Sequence, residues 1–246
     1  MVYSTLAPIY DRVMSHVAYT EWVDLVQRVM RTYGRPGAVR VFEIGGGTGV
    51  LGGLLRGLGY RYQGSDLSPD MCRIARSRDL PFVCADGRAL PVAGPYDLAL
   101  FLYDGINYLE TGEHYAALFR EVHRILAPGG LFLFDITTQV NSRRYFHDTR
   151  ESEDLGDAVY LRHSWYDETS ETQHNDFVIL AREPGSESYR RSEERHCQWV
   201  PPPAAIRQRV PEALFETVGA WDGFSARPYG RGAERVHFLL RARGAA

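Results

Sequence analysis

Apolar and polar residues alternate with two different periods along the first 138 residues of the chain. Short apolar runs typical of strands, such as residues 39–44 and 96–102, are each followed by stretches in which apolar residues recur at helical spacing. Repeated strand–helix–strand units with apolar strands predict an α/β fold, a doubly wound, mostly parallel Rossmann-like sheet. The predicted strands cover residues 39–44, 60–65, 82–85, 96–102 and 131–136, and the predicted helices cover residues 22–33, 50–58, 69–77 and 111–126.

The pattern changes after residue 138. Residues 139–157 are polar and acidic, which predicts an exposed connection. Extended stretches separated by polar turns follow, and this arrangement predicts an antiparallel β-meander. In the tail we expect a helix from Pro211 to Gly219 and then strands that return to the main sheet. The meander strands are predicted over residues 158–166, 173–182 and 189–199, and the tail strands over residues 221–226 and 234–241.

The composition is that of an ordinary soluble protein, with 44% hydrophobic and 24% charged residues. The chain has no apolar run of the ~20 residues that a membrane span needs, and its first residues lack the basic and apolar regions of a signal peptide. The cysteines are scattered, which favours reduced thiols and a cytoplasmic location. The net charge is −3 and the sequence contains no lysine. We therefore expect no duplex nucleic acid partner and exclude Schiff-base chemistry at a protein lysine.

The run from Glu43 to Gly49 is rich in glycine and directly follows a predicted strand. Glycines in such a turn let backbone N–H groups approach a bound ligand closely, which favours a nucleotide-type cofactor. Residues 47–52 match the dinucleotide G-x-G-x-x-G pattern literally, but the turn begins at Gly45, and counting from there puts Val50 at the sixth position. The register fits E-x-G-x-G-x-G instead. A nicotinamide-dependent oxidoreductase is an alternative that this register disfavours.

Two acidic residues close the strands that follow. Asp66 ends the second predicted strand about twenty residues after the glycine turn, where a carboxylate can accept hydrogen bonds from both ribose hydroxyls. Asp86 closes the third predicted strand, where it is placed to accept a hydrogen bond from an adenine amino group. Because ligands of a doubly wound sheet bind at the carboxyl ends of the strands, the glycine turn and both acids are expected to share one site.

With these residues in order, the sequence resembles the class I S-adenosylmethionine-dependent methyltransferases. Within that superfamily it looks like the small-molecule enzymes that carry an antiparallel insertion after the fifth strand, a group that includes sugar-amine N-methyltransferases. Residues 6–11 resemble the amino-terminal lid of these enzymes, and residues 104–109 resemble their loop after the fourth strand. The resemblance covers about residues 39–136 and the returning tail, and rests on residues 43–49, Asp66, Asp86, residues 96–98 and residues 126–130.

The resemblance implies S-adenosylmethionine as the cofactor and a small-molecule amine or hydroxyl as the methyl acceptor. Residues 1–138 are expected to form an amino-terminal lid and a cofactor-binding core, residues 139–202 an inserted antiparallel lid subdomain, and residues 203–246 a carboxyl-terminal return to the core sheet. We expect a monomer or homodimer without a membrane partner, and keep a non-catalytic cofactor-binding subunit as a second alternative. The expected cofactor-binding residues are Tyr10, Tyr19, Trp22, Glu43, Gly45, Gly47, Gly49, Asp66, Leu67, Met71, Asp86, Gly87, Leu102, Tyr103 and Asn107.

The sequence contains no catalytic motif, since in-line displacement at an activated sulfonium methyl needs mainly alignment of the nucleophile and exclusion of water. Tyr10 is a candidate because an aromatic face over the sulfonium gains ~1 kcal/mol or more of cation–π energy. His163 and His174 are candidate bases on the meander, where they could converge with His196. Their spacing lacks a metal-ligand motif, so no metal is expected.

The meander is expected to cover the carboxyl edge of the main sheet, because the insertion leaves the fold at the carboxyl end of the fifth strand. We therefore predict an acceptor cavity between meander and cofactor, walled by Tyr10, residues 103–107 and at least one of the three meander histidines. A dimer interface on the meander is the alternative, since exposed strands pair readily.

Overall fold

The computed structural model describes residues 3–244. In this part of the chain the helices alternate with strands up to β5 and are sparse beyond it. The strands are β1 (Arg40–Glu43), β2 (Arg61–Asp66), β3 (Phe82–Cys84), β4 (Tyr96–Phe101), β5 (Leu126–Thr137), β6 (Asp148–Asp154), β7 (Ala158–Asp167), β8 (Thr172–Arg182), β9 (Tyr189–Trp199), β10 (Phe215–Asp222) and β11 (Arg235–Ala242). The helices are α1 (Tyr10–Val13), α2 (Tyr19–Tyr33), α3 (Val50–Gly57), α4 (Pro69–Ser77), α5 (Gly112–Ile125), α6 (Gln139–Tyr145) and α7 (Pro203–Arg209).

The larger sheet has seven strands in the order β10-β11-β5-β4-β1-β2-β3. Strands β1 to β5 run parallel to their neighbours, whereas β11 pairs antiparallel with both β5 and β10. This is the doubly wound, mostly parallel sheet that the alternating pattern predicts, so the predicted fold class is confirmed. Chain order reverses between β1 and β4, and such a switch point opens a crevice at the carboxyl edge of the sheet.

The sheet has a hydrophobic core on each of its two faces, because successive side chains of a strand point to opposite sides. On β4, Leu98 and Leu100 pack against α2, α3 and α4, whereas Ala99 and Phe101 pack against α5 and α7. Helix α4 begins as predicted, with Pro69 in its first turn and the Ser68 hydroxyl accepting a hydrogen bond from a backbone N–H of that turn. No helix within residues 3–244 has the length and apolar character to span a membrane.

The smaller sheet is antiparallel, with the strand order β6-β7-β8-β9. Strands β7, β8 and β9 are the predicted meander, and the structure confirms them. The prediction of an exposed connection over residues 139–157 is right about the exposure of β6 but wrong about its structure, because this segment forms helix α6 and edge strand β6. Six of the seven residues of β6 are exposed and all seven are polar. The sequence therefore has no alternation of apolar and polar residues here that would predict a strand, and only the backbone pairing with β7 defines β6. Thr138 caps α6 through its side chain.

The tail also differs from its prediction. The expected helix from Pro211 to Gly219 is absent from the described chain, where residues 203–209 form α7 and residues 215–222 form strand β10. Strand β10 pairs with β11 through an irregularity between Thr217 and Gly219. Here tertiary pairing overrides the local pattern, because a place beside β11 satisfies the backbone groups of an otherwise weak strand.

Two adjacent glycines of helix α3 should respond in opposite ways to alanine. A Cβ added at Gly53 meets no atom within 4 Å, so we expect Gly53→Ala to stabilise the protein by about 0.5–1 kcal/mol. A Cβ at Gly52 would collide with the ring of Tyr62, which is buried and bonded through its hydroxyl to Glu43. We expect Gly52→Ala to destabilise by about 1–3 kcal/mol. Urea unfolding of the two variants measures both changes, and a stabilising Gly52→Ala would contradict this packing.

Candidate functional site

The glycine turn lies at the carboxyl end of β1, as expected. Gly45, Gly47 and Gly49 all have positive φ angles, of 63°, 56° and 81°. Such angles are costly for residues with a Cβ, and a Cβ at Gly45 would lie only 2.9 Å from the ring of Phe101. The backbone N–H of Gly47 donates to Asp66 Oδ2 over 2.9 Å, so the turn is fixed to the end of β2. The glycines therefore shape an open, rigid crevice edge.

A cavity of about 320 Å³ lies beside this turn. Its walls come from the carboxyl ends of β1, β2 and β4, the start of α4 and the segment after β3. Most of these side chains are apolar, which suits the flat face of a base and excludes water from it. The predicted cofactor residues in its lining are Tyr10, Gly45, Gly47, Asp66, Leu67, Met71, Asp86, Gly87, Leu102 and Tyr103.

Asp66 is the principal buried acid of this cavity. Its carboxylate accepts backbone hydrogen bonds from Gly47 and from Ser68, the latter over 2.8 Å. Burial raises the pKa of Asp66, and these backbone hydrogen bonds oppose the rise. The side chain is thus held in place at the cavity wall before any ligand arrives.

Asp86 also lines this cavity, but a neighbouring arginine holds its carboxylate. Arg88 donates from Nε to Asp86 Oδ1 over 2.9 Å and from Nη2 to Oδ2 over 2.6 Å. These side-chain hydrogen bonds from Arg88 are the main reason why the pKa of Asp86 is lowered. The carboxylate is therefore ionised, and Asp86 and Arg88 both line the cavity.

A narrow recess of about 50 Å³ continues from the glycine turn towards helix α2. Tyr19, Trp22, Glu43 and Thr48 line it, so three further residues expected to bind the cofactor, Tyr19, Trp22 and Glu43, border the same crevice. Thr48 donates a hydrogen bond to Asp11, which ties the amino-terminal segment to the turn. The recess is polar at one end, where the Glu43 carboxyl lies.

Glu43 is buried and accepts a hydrogen bond from the Tyr62 hydroxyl. Burial raises the pKa of Glu43 to about 7, although the hydrogen bond from Tyr62 lowers it. In the unfolded chain this carboxyl ionises near its ordinary pKa of about 4.3. Between these two values the folded protein binds a proton that the unfolded chain does not bind.

The stability contributed at Glu43 should therefore fall as the pH rises from about 4.3 through 7. We expect Glu43→Gln to remove this part of the pH dependence. Relative to the unmodified protein, the free energy of unfolding of the variant should be higher at pH 8.5 than at pH 5 by a few kcal/mol. Urea unfolding at several pH values measures the difference. The exposed Glu113→Gln on α5 is the matched control and should follow the unmodified protein. Parallel profiles for all three proteins would show that Glu43 ionises normally.

A second cavity, of about 520 Å³, lies between the antiparallel sheet and the carboxyl edge of the main sheet. Tyr10, Tyr103 and His196 are among its walls, so the predicted cavity under the meander is present. It shares Tyr3, Tyr10, Tyr103 and Tyr108 with the first cavity. Its other walls are largely polar and include Asp104, Asn141, Glu151, Glu153, Arg162, Gln173, Asn175, Gln198 and Arg235.

The three meander histidines do not converge, and this expectation is wrong. His163 and His174 lie on the outer face of the antiparallel sheet, whereas His196 lies on the face towards the cavity. Side chains alternate along a strand, and the register pairs His163 with Asp176 and His174 with Trp165 and Cys197. His163 contacts Asp148, and His174 stacks on Trp165 with ring centroids 4.7 Å apart. Neither candidate base can reach the cavity.

Gly49 and Asn107 are predicted cofactor residues that line none of these cavities among the described residues. Gly49 instead precedes α3, where a Cβ would lie 3.2 Å from that of Ala75 and would also meet Leu80. The Asn107 amide donates to the carbonyl of Trp199 over 2.7 Å and accepts from the Thr137 N–H over 3.1 Å. It joins the loop after β4 to both sheets. Both residues shape the site without bordering it.

The sequence analysis did not predict a buried charge cluster beside the second cavity. Arg235 forms ion pairs with Asp104, over 2.8 Å, and with Asp135. Tyr103 and Asp104 both have positive φ angles, of 61° and 52°, which are uncommon for these residues and concentrate at functional loops. Asp104 follows β4 and Asp135 lies near the end of β5, so both acids could have been noticed in the sequence. Nothing local marks Arg235 as their partner, because it lies 100 residues beyond Asp135.

Part of the chain matches a known family of domains. Residues 41–130 match the family described as a methyltransferase domain. YqeM of Bacillus subtilis strain 168, a protein with a provisional assignment as a methyltransferase, is 26% identical over 97% of this chain and 96% of its own.

Two solved structures share the fold over nearly the whole chain. An S-adenosylmethionine-dependent methyltransferase from Clostridium acetobutylicum has a TM-score of 0.80 with 21% identity, covering 98% of this chain and 99% of its own. The sugar N-methyltransferase KedS8 from Streptoalloteichus sp. ATCC 53650 has a TM-score of 0.77 with 21% identity, covering 96% and 93%.

The matched domain, the glycine turn and the sheet define a methyltransferase. Residues 41–130 form a methyltransferase domain, the whole chain has the fold of S-adenosylmethionine-dependent methyltransferases, and S-adenosylmethionine is its cofactor. The resemblance inferred from the Glu43–Gly49 run and the two strand-closing acids is thereby confirmed, and the oxidoreductase alternative is set aside.

Proposed function

We propose that this enzyme transfers the methyl group of S-adenosylmethionine to an amine or hydroxyl of a small polar molecule. The observation that carries the proposal is the position of the two larger cavities, which lie side by side and share four tyrosines: Tyr3, Tyr10, Tyr103 and Tyr108. A methyl donor in one cavity and an acceptor in the other would meet at this tyrosine wall.

The adenosyl part of the cofactor would occupy the first cavity. Asp66 is placed to accept hydrogen bonds from the ribose hydroxyls, and Met71 and Leu102 offer apolar surface to the adenine. The amino-acid end would extend into the recess beside Glu43, Tyr19 and Trp22. This arrangement uses the cavity residues that the sequence predicts for the cofactor.

Tyr10 is the strongest candidate for contact with the sulfonium. It is one of two residues, with Tyr103, that border all three spaces among the described linings. Tyr10 is half-buried, and this burial raises the pKa of its hydroxyl well above the usual range. A desolvated aromatic ring attracts a cation with about 1–2 kcal/mol. Tyr10 would therefore mark the point where the methyl group leaves the donor.

The second cavity suits a small acceptor with several polar groups. Its volume of about 520 Å³ is that of a small-molecule site, and amides, carboxylates and guanidinium groups surround it. Hydroxyl groups of a sugar would find both donors and acceptors there, and the carboxylates would favour an amine. KedS8, which has the same fold, is a sugar N-methyltransferase. An amino sugar is therefore the first acceptor to test.

The amino-terminal segment supports such a reaction by covering the site. Glu194 on β9 accepts hydrogen bonds from the backbone and hydroxyl of Thr5, each over 2.7 Å, and from the N–H of Leu6 over 3.2 Å. These bonds fix the segment beside the two cavities, both of which Tyr3 lines. A closed site orients donor and acceptor and excludes water, and such positioning can supply roughly 7–11 kcal/mol of catalysis.

Calorimetry and a methyl-transfer assay test the proposal together. We expect S-adenosylmethionine and S-adenosylhomocysteine to bind and NAD not to bind. Labelled S-adenosylmethionine should then transfer its methyl group to an amino sugar faster than to the same sugar without the amine. Cofactor binding without transfer to any amine or hydroxyl tested would favour the non-catalytic subunit. Light scattering of the same sample tests the predicted monomer or homodimer.

The arrangement of the two sheets supports the predicted division of the chain, which we retain as part of this proposal. Residues 1–138 would provide the lid and cofactor core, residues 139–202 the acceptor cover, and residues 203–246 the strands that complete the main sheet. Helix α6 and strand β6 belong to the acceptor cover.

A further inference from the structure

A chain of polar side chains crosses the wall between the two larger cavities. The hydroxyls of Tyr3 and Tyr108 lie 2.8 Å apart, and the Tyr108 hydroxyl lies 3.0 Å from His196 Nδ1. On the other side of the ring, His196 Nε2 lies 2.9 Å from Glu194 Oε1. The chain thus runs from the tyrosine wall to a carboxylate behind it.

The inner end of this chain is buried and charged. The side chains of His196 and Glu194 are only 3% and 4% exposed. Burial alone would raise the pKa of Glu194, but the interactions with His196 and Thr5 outweigh it and lower this pKa to about 2. The carboxylate is therefore ionised at neutral pH, and it favours a proton on the nitrogen that faces it. This leaves Nδ1 of a neutral His196 free to accept a hydrogen bond from Tyr108.

We propose that Tyr108, His196 and Glu194 form a proton relay that removes the proton of the acceptor during methyl transfer. The inference rests on the proposed function, because the relay begins at the acceptor cavity, which Tyr108 and His196 both line. Tyr108 is the group that touches the acceptor, His196 stores the proton, and Glu194 is a positioning residue.

The acceptor nitrogen or oxygen forms a bond to the methyl carbon while the carbon–sulfur bond breaks and its electron pair stays on sulfur. The acceptor proton passes to the Tyr108 oxygen, and the proton of Tyr108 passes to His196 Nδ1. The products are the methylated acceptor, S-adenosylhomocysteine and an imidazolium beside Glu194. Solvent takes up the stored proton once the product has left.

Burial makes a free phenolate at Tyr108 unfavourable, because it raises the pKa of this hydroxyl above its usual range. The two proton movements must therefore occur together. The titratable groups that face His196 are Glu194 on its own strand, Tyr108, and Tyr3, whose ring centroid lies 4.4 Å away. From β8, Asn175 lies opposite His196 and the ring of Phe177 contacts it, and neither side chain ionises. Asp104 is the further charge that acts on both tyrosines.

Nuclear magnetic resonance of ¹⁵N-histidine-labelled enzyme with S-adenosylhomocysteine tests the resting state without turnover. The relay requires His196 to be neutral at pH 8 with its proton on Nε2 and a bare Nδ1. The signal is assigned by its loss in His196→Gln, and Tyr108→Phe should shift the Nδ1 resonance. A proton on Nδ1 at pH 8 would overturn the relay, whatever acceptor the enzyme uses.

The kinetic test measures methyl transfer to 3-amino-3-deoxyglucose as the probe between pH 6 and 9. An imidazolium cannot take up the relayed proton, so kcat of the unmodified enzyme should fall on the acid side of the profile. His196→Gln keeps a side chain that can bond Tyr108 but cannot store a proton. We expect it to lower kcat about 100-fold, to change KM little and to abolish the acid limb. Tyr108→Phe should act similarly, and the double variant should lose little more.

His174→Gln on the opposite face of the same sheet is the matched control and should retain kcat and its pH profile. A His196→Gln enzyme with an unchanged acid limb, or one that loses affinity only, would reject the relay. If the unmodified enzyme binds S-adenosylmethionine but methylates no acceptor, the proposed function fails instead. The resonance measurement then still decides whether His196 is set to accept a proton.

Discussion

Replacing Arg235 by leucine is expected to destabilise the protein by about 3–5 kcal/mol at pH 8. Arg235 lies between Asp104 and Asp135, and the Asp135 side chain is completely buried. Burial raises the pKa of both carboxyls, and the guanidinium of Arg235 counteracts this rise. Removal of the guanidinium therefore leaves two buried acids without a counter-charge. The variant can relieve the strain by protonating them. We therefore expect the loss to be smaller at pH 5 than at pH 8.

Urea unfolding at the two pH values measures this effect. Arg144→Leu is the matched control, because Arg144 pairs with Glu234 at the surface, where its side chain is 66% exposed, and this variant should lose far less stability than Arg235→Leu. Adding Asp135→Asn to Arg235→Leu should recover part of the loss, since it removes one of the stranded charges. Equal losses for the two arginine variants would mean that the buried cluster contributes no more than a surface ion pair.

Replacing Asp66 by alanine is expected to weaken S-adenosylmethionine binding by about 2–3 kcal/mol, roughly a hundredfold in Kd. The proposed ribose contacts lose a charged acceptor, and the Gly47 N–H loses the bond that fixes the glycine turn. Asp66→Asn keeps the shape of the side chain but not its charge, so its affinity should lie between those of the alanine variant and the unmodified enzyme. Titration calorimetry measures each Kd.

Asp70→Ala provides the control for this experiment. Asp70 lies in the first turn of the same helix that follows Asp66, but its carboxylate pairs with Arg73 at the surface. We expect its variant to bind S-adenosylmethionine as the unmodified enzyme does. Unchanged affinity of a folded Asp66→Ala would mean that Asp66 only supports the loop before α4, through its bond to the Ser68 N–H.

The glycine turn and Asp66 could be predicted from the sequence, because residues close to them in the chain determine their conformation and position. The strand before Gly45 and the positive φ angles of the glycines form within a few residues of each other, and Asp66 is fixed by the strand that it closes. A parallel sheet then brings all carboxyl strand ends to one edge, whatever the details of the loops. The sequence therefore predicted the class of cofactor and the edge of the sheet at which its cavity lies.

The sequence did not predict which strands pair when the partners lie far apart in the chain. Strand β6 and strand β10 have weak apolar patterns, and their backbone bonds to β7 and β11 define them. The side chosen by each meander histidine depends on strand register, which a shift of one residue reverses. His163 and His174 point outwards for this reason, and His196 points into the cavity.

The sequence by itself determined the α/β class, the glycine turn, Asp66 and the antiparallel insertion, because these depend on periodicity and on residues close in the chain. Only the tertiary structure decided that His196 faces Glu194 and Tyr108, and that Arg235 joins Asp104 to Asp135. These contacts join segments that lie far apart in the chain, apart from Glu194 and His196 themselves. Their geometry arises from strand pairing within the main sheet and from the packing of the two sheets, and no local pattern encodes either.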